Sequence, residues 1–282
     1  MNDVRQRRTA VTCRWDENAG LSEGEGGGVD GNTSRCLPVT ESLRPHQESL
    51  TMDNFQQTLV TLGAKPSMSE EKGLALLRND DLTVFCPGVS SGGFAEIRMA
   101  LANKKRRIVA TTIDTEGLNF TANNIRQLNL TSRIELKLEN LLTDFPYPSN
   151  FFDYIYARLV LHYLSAQDLD KVLSNFKKSL KKSGHIFIVV RSEKCVDSKN
   201  ADQEFDPATK LTKTYYRDGN NKISCAALRY FHTQESIRDH LEKAGFNIDY
   251  ISEHVEQLYK DFMRTQIAPH LDYLIEVHAK NM

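Results

Sequence analysis

Five short apolar runs, separated by segments with helical periodicity, most constrain how this chain can fold. The runs are residues 82–86, 108–113, 134–138, 152–156 and 186–190. The fifth reads IFIVV and is apolar at every position, which is typical of a strand covered on both faces. Strands that alternate with helices favour a mostly parallel sheet with helices on both sides. The sequence therefore predicts an α/β fold.

Capping residues mark where several of the helices begin and end. Ser165 precedes a helical segment and is followed three residues later by Asp168, a pattern typical of a helix N-terminus. Thr233 is predicted to cap a later helix, which Gly245 would end. Two further strands are predicted after this helix, near residues 248–254 and 272–279. The polar stretch 192–222 has no clear pattern.

Composition divides the chain into a leader and a folded domain. Residues 1–51 hold six of the 15 glycines and show no apolar period, so we predict a disordered or weakly structured leader. The predicted domain spans 52–282. It comprises an N-terminal helical cover (52–80), a ligand-binding core (82–190), and a substrate cover with the C-terminal strands (191–282).

Charge, hydropathy and cysteine spacing exclude several classes of partner. The formal net charge is −1, which does not favour nucleic acid, and no apolar run approaches the roughly 18 residues of a membrane span. The five cysteines are scattered without a CxxC pair, so we predict neither a metal site nor a disulfide framework. These features are typical of a cytoplasmic protein. The sequence makes no prediction about oligomeric state.

A glycine-rich turn follows the first predicted strand, in the segment DLTVFCPGVSSGG (81–93). Gly88, Ser90 and Gly92 are spaced i, i+2, i+4, which would let a ligand approach the backbone at the start of a helix. The next strand ends in Asp114, whose carboxylate could accept hydrogen bonds from both hydroxyls of a ribose. An ordinary turn and a helix cap are the alternatives. Together the two features indicate an adenosine-containing cofactor, either a nicotinamide or S-adenosylmethionine.

Three later segments distinguish between these cofactors. Residues 140–164 (NLLTDFPYPSNFFDYIYARLVLHYL), 179–188 (SLKKSGHIFI) and 230–246 resemble motifs of the class I S-adenosylmethionine-dependent methyltransferases, in the same order and at similar spacing. The resemblance extends over about 200 residues. It implies a Rossmann-like, doubly wound, mostly parallel seven-stranded sheet with an antiparallel C-terminal strand, and S-adenosylmethionine as the cofactor.

The resemblance also implies a role for individual residues. Gly88, Ser90 and Gly92 would line the methionine and ribose part of the cofactor, and Asp114 would hold the ribose hydroxyls. The adenine would be bordered by Glu139, Asn140 and Leu141, and Arg158 and Leu159 would lie under the sulfonium end. Cys86 departs from the family, which usually has an acid at that position of the cofactor site; a thiol is a weak hydrogen-bonding substitute.

No catalytic residue is assigned from the sequence. His162 is the candidate general base, with a packing role in the LHYL segment as the alternative. The predicted function is methyl transfer to a small-molecule acceptor. Two alternatives stay open: a degenerate methyltransferase-like binding protein, which Cys86 and Ser90 favour, and a nicotinamide-dependent oxidoreductase, which fits the turn and Asp114.

Overall fold

The computed structural model describes residues 67–282, except residues 90, 144, 218–219, 260–263 and 265. The predicted leader, residues 1–51, therefore lies outside the described residues. So do residues 52–66 of the predicted helical cover and Ser90 of the glycine-rich turn. Among the described residues, no helix is long and apolar enough to cross a membrane.

Seven strands form the central sheet, in the order β3-β2-β1-β4-β5-β10-β9. They are β1 (Thr83–Pro87), β2 (Arg107–Thr112), β3 (Ile134–Leu138), β4 (Phe152–Arg158), β5 (Leu180–Arg191), β9 (Asn247–Tyr259) and β10 (Ile267–Lys280). Strands β1 to β5 pair in parallel, whereas β10 is antiparallel to both β5 and β9. The predicted α/β fold with a mostly parallel seven-stranded sheet is confirmed.

Helices cover both faces of this sheet. They are α1 (Met68–Ala75), α2 (Phe94–Ala102), α3 (Thr115–Gln127), α4 (Ala166–Ser179) and α5 (Gln234–Lys243). One buried cluster packs α4 and α5 on the sheet, through Phe176 and Ile237 among others. A second packs α2 and α3 on the opposite face, through Ile97 and Ile125. Residues 186–190 of β5 are buried under these two layers, which agrees with their continuously apolar sequence.

The predicted helix ends are confirmed. The Ser165 hydroxyl accepts a hydrogen bond from the Asp168 N–H at 3.2 Å. Gly245 follows α5 with a left-handed φ of 84°, and the next residue, Phe246, is buried. At the start of α5, Thr233 Oγ1 accepts from the Ser236 N–H and Ser236 Oγ accepts from the Thr233 N–H, both at 3.0 Å. This reciprocal pair is a capping box.

Replacement of Thr233 by Ala is expected to lower the free energy of unfolding by about 1 kcal/mol, because the Ser236 N–H loses its partner. Thr233→Ser is the matched control, since it keeps the hydroxyl. Urea titrations of both variants measure the effect. Equal stability of the two variants would show that the cap contributes nothing measurable.

Two features of the C-terminal third differ from the sequence-based expectation. The region left unassigned contains β6 (Gln203–Phe205) and β7 (Thr212–Arg217), which join β8 (Ile223–Arg229) in a separate antiparallel sheet. Strand β10 alternates apolar and polar residues, yet both Glu276 and His278 are buried. This alternation does not mark a solvent-exposed face of the strand, because β10 lies between β5 and β9 in the sheet. Its buried charged side chains are paired with other residues; Glu276 accepts a hydrogen bond from Lys72 at 2.6 Å.

Candidate active site

The strand order reverses at β1, which lies between β2 and β4. In an open parallel sheet this reversal leaves a crevice beyond the carboxyl ends of the two central strands, and ligands bind there. The glycine-rich turn follows β1, Asp114 follows β2 and Glu139 follows β3. The structure therefore brings the predicted cofactor residues to one edge of the sheet.

The turn after β1 requires glycine at three positions. Gly88, Gly92 and Gly93 all have left-handed φ values, of 73°, 65° and 73°. A Cβ at Gly88 would lie 2.7 Å from Val160 Cβ, and one at Gly93 would lie 2.6 Å from Thr121 Cγ2. Other residues would therefore be strained and would also collide with neighbours. The space beside these glycines is lined by the protein's own side chains.

Backbone hydrogen bonds tie the start of the turn to β2. The N–H groups of Gly88 and Val89 both donate to the Thr111 carbonyl, at 2.8 and 2.9 Å. Pro87 has no N–H to donate. The amides at the beginning of the turn thus hold the turn in place, and a ligand would have to use amides further along the chain.

Asp114 caps α3, as the alternative reading of the sequence proposed. Its Oδ1 accepts a hydrogen bond from the Glu116 N–H at 3.0 Å, and its own N–H donates to Thr112 Oγ1 at 3.1 Å. The side chain is half-buried at the sheet edge. A cap engages one carboxylate oxygen, so capping does not exclude a second role at the same edge.

The residues predicted at the adenine differ in their surroundings. Glu139 is half-buried, and its Oε2 accepts a hydrogen bond from the Tyr147 hydroxyl at 2.8 Å. Burial raises the pKa of Tyr147, and the hydrogen bond to Glu139 raises it further. Asn140 is exposed, and its Oδ1 accepts from the Leu142 N–H at 3.0 Å. Leu141 packs in the core with Phe85, so little of its side chain faces the crevice.

Cys86 does not reach the crevice in the structure. It is 0% exposed and packs in the core cluster between α2 and the sheet. Burial raises the pKa of its thiol well above the usual value, and the charge of Glu96 raises it further. The residue is therefore a neutral core side chain, and its predicted contact with the cofactor is not seen. An acid at this position would have to be buried beside Glu96, which costs free energy.

Arg158 is held by polar partners from distant parts of the chain. Its Nε donates to Ser69 Oγ at 2.7 Å, and its Nη2 donates to Ser67 Oγ at 2.7 Å and to Glu256 Oε1 at 2.6 Å. Burial alone would raise the pKa of Glu256. A hydrogen bond with His254 and the charge of Arg158 outweigh burial and lower that pKa to about 2. Arg158 and Glu256 therefore form a charged, buried pair.

The chain after β4 connects the glycine-rich turn to a neighbouring cavity. Leu159 adopts a left-handed backbone with φ of 56°, and the next residue, Val160, contacts Gly88. Left-handed non-glycine residues often lie at functional sites. The cavity has a volume of about 140 Å³ and is lined by Ser67, Arg158, Leu159, His162, Tyr163, Arg191, Leu258, Tyr259 and Arg264.

Three of the predicted site residues, Arg158, Leu159 and His162, line this cavity. Arg191 was not predicted as a site residue, although it directly follows the predicted fifth strand (186–190). The rule that ligands bind at the carboxyl ends of strands could have identified it. Tyr259 and Arg264 lie near the end of β9, and no sequence pattern indicates that they approach β4.

His162 is buried without a polar partner. It is 1% exposed, and neither ring nitrogen has a hydrogen-bond partner within the described part of the chain. Burial lowers its pKa well below the usual value, and the charges of Arg191 and Arg229 lower it further. The imidazole is therefore neutral near pH 7, a form that can accept a proton.

A comparison with protein families agrees with this architecture. Residues 87–188 match the family model described as "Methyltransferase domain". The match begins at the glycine-rich turn and ends within β5, so it lies inside the predicted ligand-binding core. No curated protein sequence matches the chain.

Solved structures share the fold at low sequence identity. An S-adenosylmethionine-dependent methyltransferase of Methanosarcina mazei is 17% identical, with a TM-score of 0.56; the match covers 73% of this chain and 94% of that chain. Geranyl diphosphate methyltransferase in complex with S-adenosylmethionine is 11% identical, with a TM-score of 0.52 and coverage of 76% and 84%. The [4+2]-cyclase SpnF is 14% identical, with a TM-score of 0.50 and coverage of 75% and 78%.

The domain match and the strand order together identify a class I S-adenosylmethionine-dependent methyltransferase fold. The recognition of this superfamily from the sequence is confirmed by the domain match and the shared fold. The nicotinamide alternative has no support from these comparisons. Fold alone does not determine the reaction, so the acceptor must be argued from the site.

Proposed function

We propose that this chain is a methyltransferase that transfers a methyl group from S-adenosylmethionine to a small-molecule acceptor in the cytoplasm. One observation carries the proposal: the segment from Arg158 to His162 lines the cavity and also contacts the glycine-rich turn through Val160. A methyl donor bound at the glycine-rich turn and a methyl acceptor bound in the cavity would thus both contact this segment. The net charge of −1 supports a small acceptor rather than nucleic acid.

The described residues fit the nucleoside half of S-adenosylmethionine better than its methionine half. At the nucleoside end, Asp114 and Glu139 supply carboxylates at neighbouring strand ends. At the methionine end, Val160 lies against Gly88, and Cys86 is buried where the family has an acid. Binding of the whole cofactor therefore requires Val160 to move, at a cost in affinity.

When bound, S-adenosylmethionine supplies an already activated methyl group. The protein must then orient the acceptor, exclude water and receive a proton if the acceptor is a hydroxyl or an amine. His162 is the candidate to receive that proton because it lines the cavity and its imidazole is neutral, but the burial and the arginines that lower its pKa also make it a weak base. Arg158 is suited to a positioning role, since three hydrogen bonds fix its guanidinium.

A binding protein without turnover is the second candidate function. The contact of Val160 with Gly88 and the burial of Cys86 both favour it, because each weakens the methionine half of the site. Such a protein would hold an adenosine-containing ligand through the carboxylates after β2 and β3.

Titration calorimetry of the full chain with S-adenosylmethionine, S-adenosylhomocysteine and NADH tests both candidates. Saturable binding of the first two, together with methylation of at least one member of an acceptor panel, would support the enzyme. Binding without methylation would favour the binding protein. Binding of NADH alone would overturn the methyltransferase and favour the nicotinamide-dependent alternative, whereas binding of none of the three ligands would overturn both candidates. Val160→Ala serves as the informative variant, since it should tighten binding by removing the contact with Gly88.

Replacement of Asp114 by Ser is expected to weaken binding of S-adenosylhomocysteine at least tenfold. Ser is as good a helix cap as Asp, so the free energy of unfolding should change little, whereas a single hydroxyl cannot accept from both ribose hydroxyls. Calorimetry and urea unfolding on the same preparation separate the two effects. An unchanged dissociation constant would remove Asp114 from the cofactor site.

A further inference from the structure

We propose that the cavity at the carboxyl ends of β4 and β5 recognises a carboxylate group on the methyl acceptor. This inference rests on the proposed methyltransferase function and adds the chemical class of the acceptor. It rests on the composition of the cavity wall, on the donors that the wall leaves unused, and on the size of the cavity.

The cavity wall carries positive charge without a matching negative charge. Three of its nine lining residues are arginines, Arg158, Arg191 and Arg264, and none is an aspartate or glutamate. Guanidinium groups bind carboxylates through paired, planar hydrogen bonds. An anionic group in the cavity would therefore meet guanidinium donors and, among the described lining residues, no carboxylate.

The acids that pair with these arginines do not line the cavity. Arg158 pairs with Glu256 at 2.6 Å, Arg191 with Asp272 at 2.8 Å, and Arg264 with Glu70 at 2.5 Å. None of the three acids is a lining residue. The wall thus presents arginines to the cavity, and the carboxylates that pair with them lie outside the set of described lining residues.

Two lining residues have polar atoms without a partner in the described part of the chain. The Arg191 Nε–H is buried and makes no hydrogen bond, and neither nitrogen of His162 makes one. Buried polar atoms are nearly always paired in folded proteins. The ion pairs of Arg191 run through Nη1, to Asp272 and to Asp197, so its Nε–H is not used by them. An acceptor-rich group is the chemistry that would satisfy this donor.

The volume of the cavity limits the acceptor. About 140 Å³ is well below the roughly 300–1,000 Å³ of pockets that hold drug-sized ligands. A nucleotide or a long chain does not fit this space. Apart from the arginines, Ser67 and His162, the described wall is apolar or aromatic, from Leu159, Leu258, Tyr163 and Tyr259, so the body of the acceptor would be a small apolar or aromatic group.

Benzoate and benzamide are the probes that test this inference, because they share shape and differ in charge. Each is titrated into the full chain by calorimetry, with and without saturating S-adenosylhomocysteine. We expect benzoate to bind at least tenfold more tightly than benzamide. Equal affinities, or inorganic phosphate that binds more tightly than benzoate, would overturn the assignment to a carboxylate.

Tyr163 allows a charge to be added to the wall without disturbing the core. It lines the cavity and is 51% exposed. Tyr163→Glu is expected to weaken benzoate binding at least tenfold and to leave benzamide binding within about twofold, because a carboxylate would repel the probe. Tyr163→Gln is the matched neutral control and should bind benzoate at least tenfold more tightly than Tyr163→Glu. Equal benzoate affinity in the two variants would overturn the inference.

Failure of this inference is distinguishable from failure of the proposed function. S-Adenosylhomocysteine is titrated into the same variants as a separate measurement. Cofactor binding with no preference for benzoate would refute the carboxylate site alone. A preference for benzoate with no cofactor binding would refute the methyltransferase proposal and retain the anion-binding cavity.

Discussion

Replacement of Arg158 by Met is expected to lower the free energy of unfolding by about 3–5 kcal/mol. Arg158 lies opposite Glu256, which is 3% exposed, and their 2.6 Å contact is the shortest polar contact that Arg158 makes. Removal of the cation leaves a buried carboxylate without the charge of Arg158, which helps to lower its pKa; Glu256 must then stay charged without this partner or bind a proton, and either state costs free energy. The two serines that accept from Arg158 also lose their donor.

The double variant Arg158→Met/Glu256→Gln is the control for this prediction. Gln removes the uncompensated charge and keeps an oxygen to accept from the Ser69 N–H, which Glu256 binds at 2.8 Å. It should recover at least half of the lost free energy in urea titrations. Should the single variant lose less than 1 kcal/mol, the pair would be a minor contributor, and the main role of Arg158 would lie in ligand binding.

Acidification from pH 6.5 to pH 5 is expected to lower the free energy of unfolding by about 5 kcal/mol. Three buried histidines cause this loss, and one of them is His278, whose pKa is lowered to about 4 by burial and further by His185. Burial lowers the pKa of His162 well below its usual value, with further lowering by Arg191 and Arg229. Burial also lowers the pKa of His232 to about 3, with a smaller effect of His240. His162 and His232 are essentially inaccessible to water.

The sign follows from proton counting. Below the unfolded pKa of about 6.5, the unfolded chain binds a proton at each histidine and the folded chain does not. Each residue therefore contributes stability above pH 6.5 that is lost at about 1.4 kcal/mol per pH unit on acidification. For His232 the loss continues until pH falls to about 3, where the folded state also binds the proton.

Urea titrations at a series of pH values measure this dependence. His162→Gln should reduce the slope of the free energy of unfolding against pH by about 1.4 kcal/mol per pH unit, which is the contribution of one histidine. His270→Gln is the matched control, since His270 is exposed, and it should leave the slope unchanged. A slope that stays the same in His162→Gln would mean that the imidazole is protonated inside the fold, which would also remove it as the base.

These two predictions concern the same wall of the cavity. Arg158 and His162 follow one strand, and Val160 between them contacts the glycine-rich turn. A cation that cannot lose its charge and an imidazole that resists protonation are therefore placed four residues apart. The contrast suits a site that attracts an anionic group while keeping a neutral base beside it.

The sequence by itself determined the order, along the chain, of the strands of the central sheet and of the helices between them. Strands predicted at 82–86 and 152–156 lie at Thr83–Pro87 and Phe152–Arg158, and Ser165 caps its helix as expected. Such features depend on apolar periods and caps that act within a few residues, so they are readable locally. The glycine-rich turn and Asp114 were also identified, since each lies directly at a strand end.

Only the tertiary structure decided which side chains face the ligand. It buried Cys86 in the core, placed Val160 against Gly88, and paired Arg158 with Glu256, 98 residues away. It also brought Arg191 and Tyr259 to one cavity. No local pattern encodes these contacts, because they arise when separate elements pack on both faces of one sheet. The physical reason is that burial and charge pairing depend on neighbours in space, whereas helical and strand periods depend on neighbours in sequence.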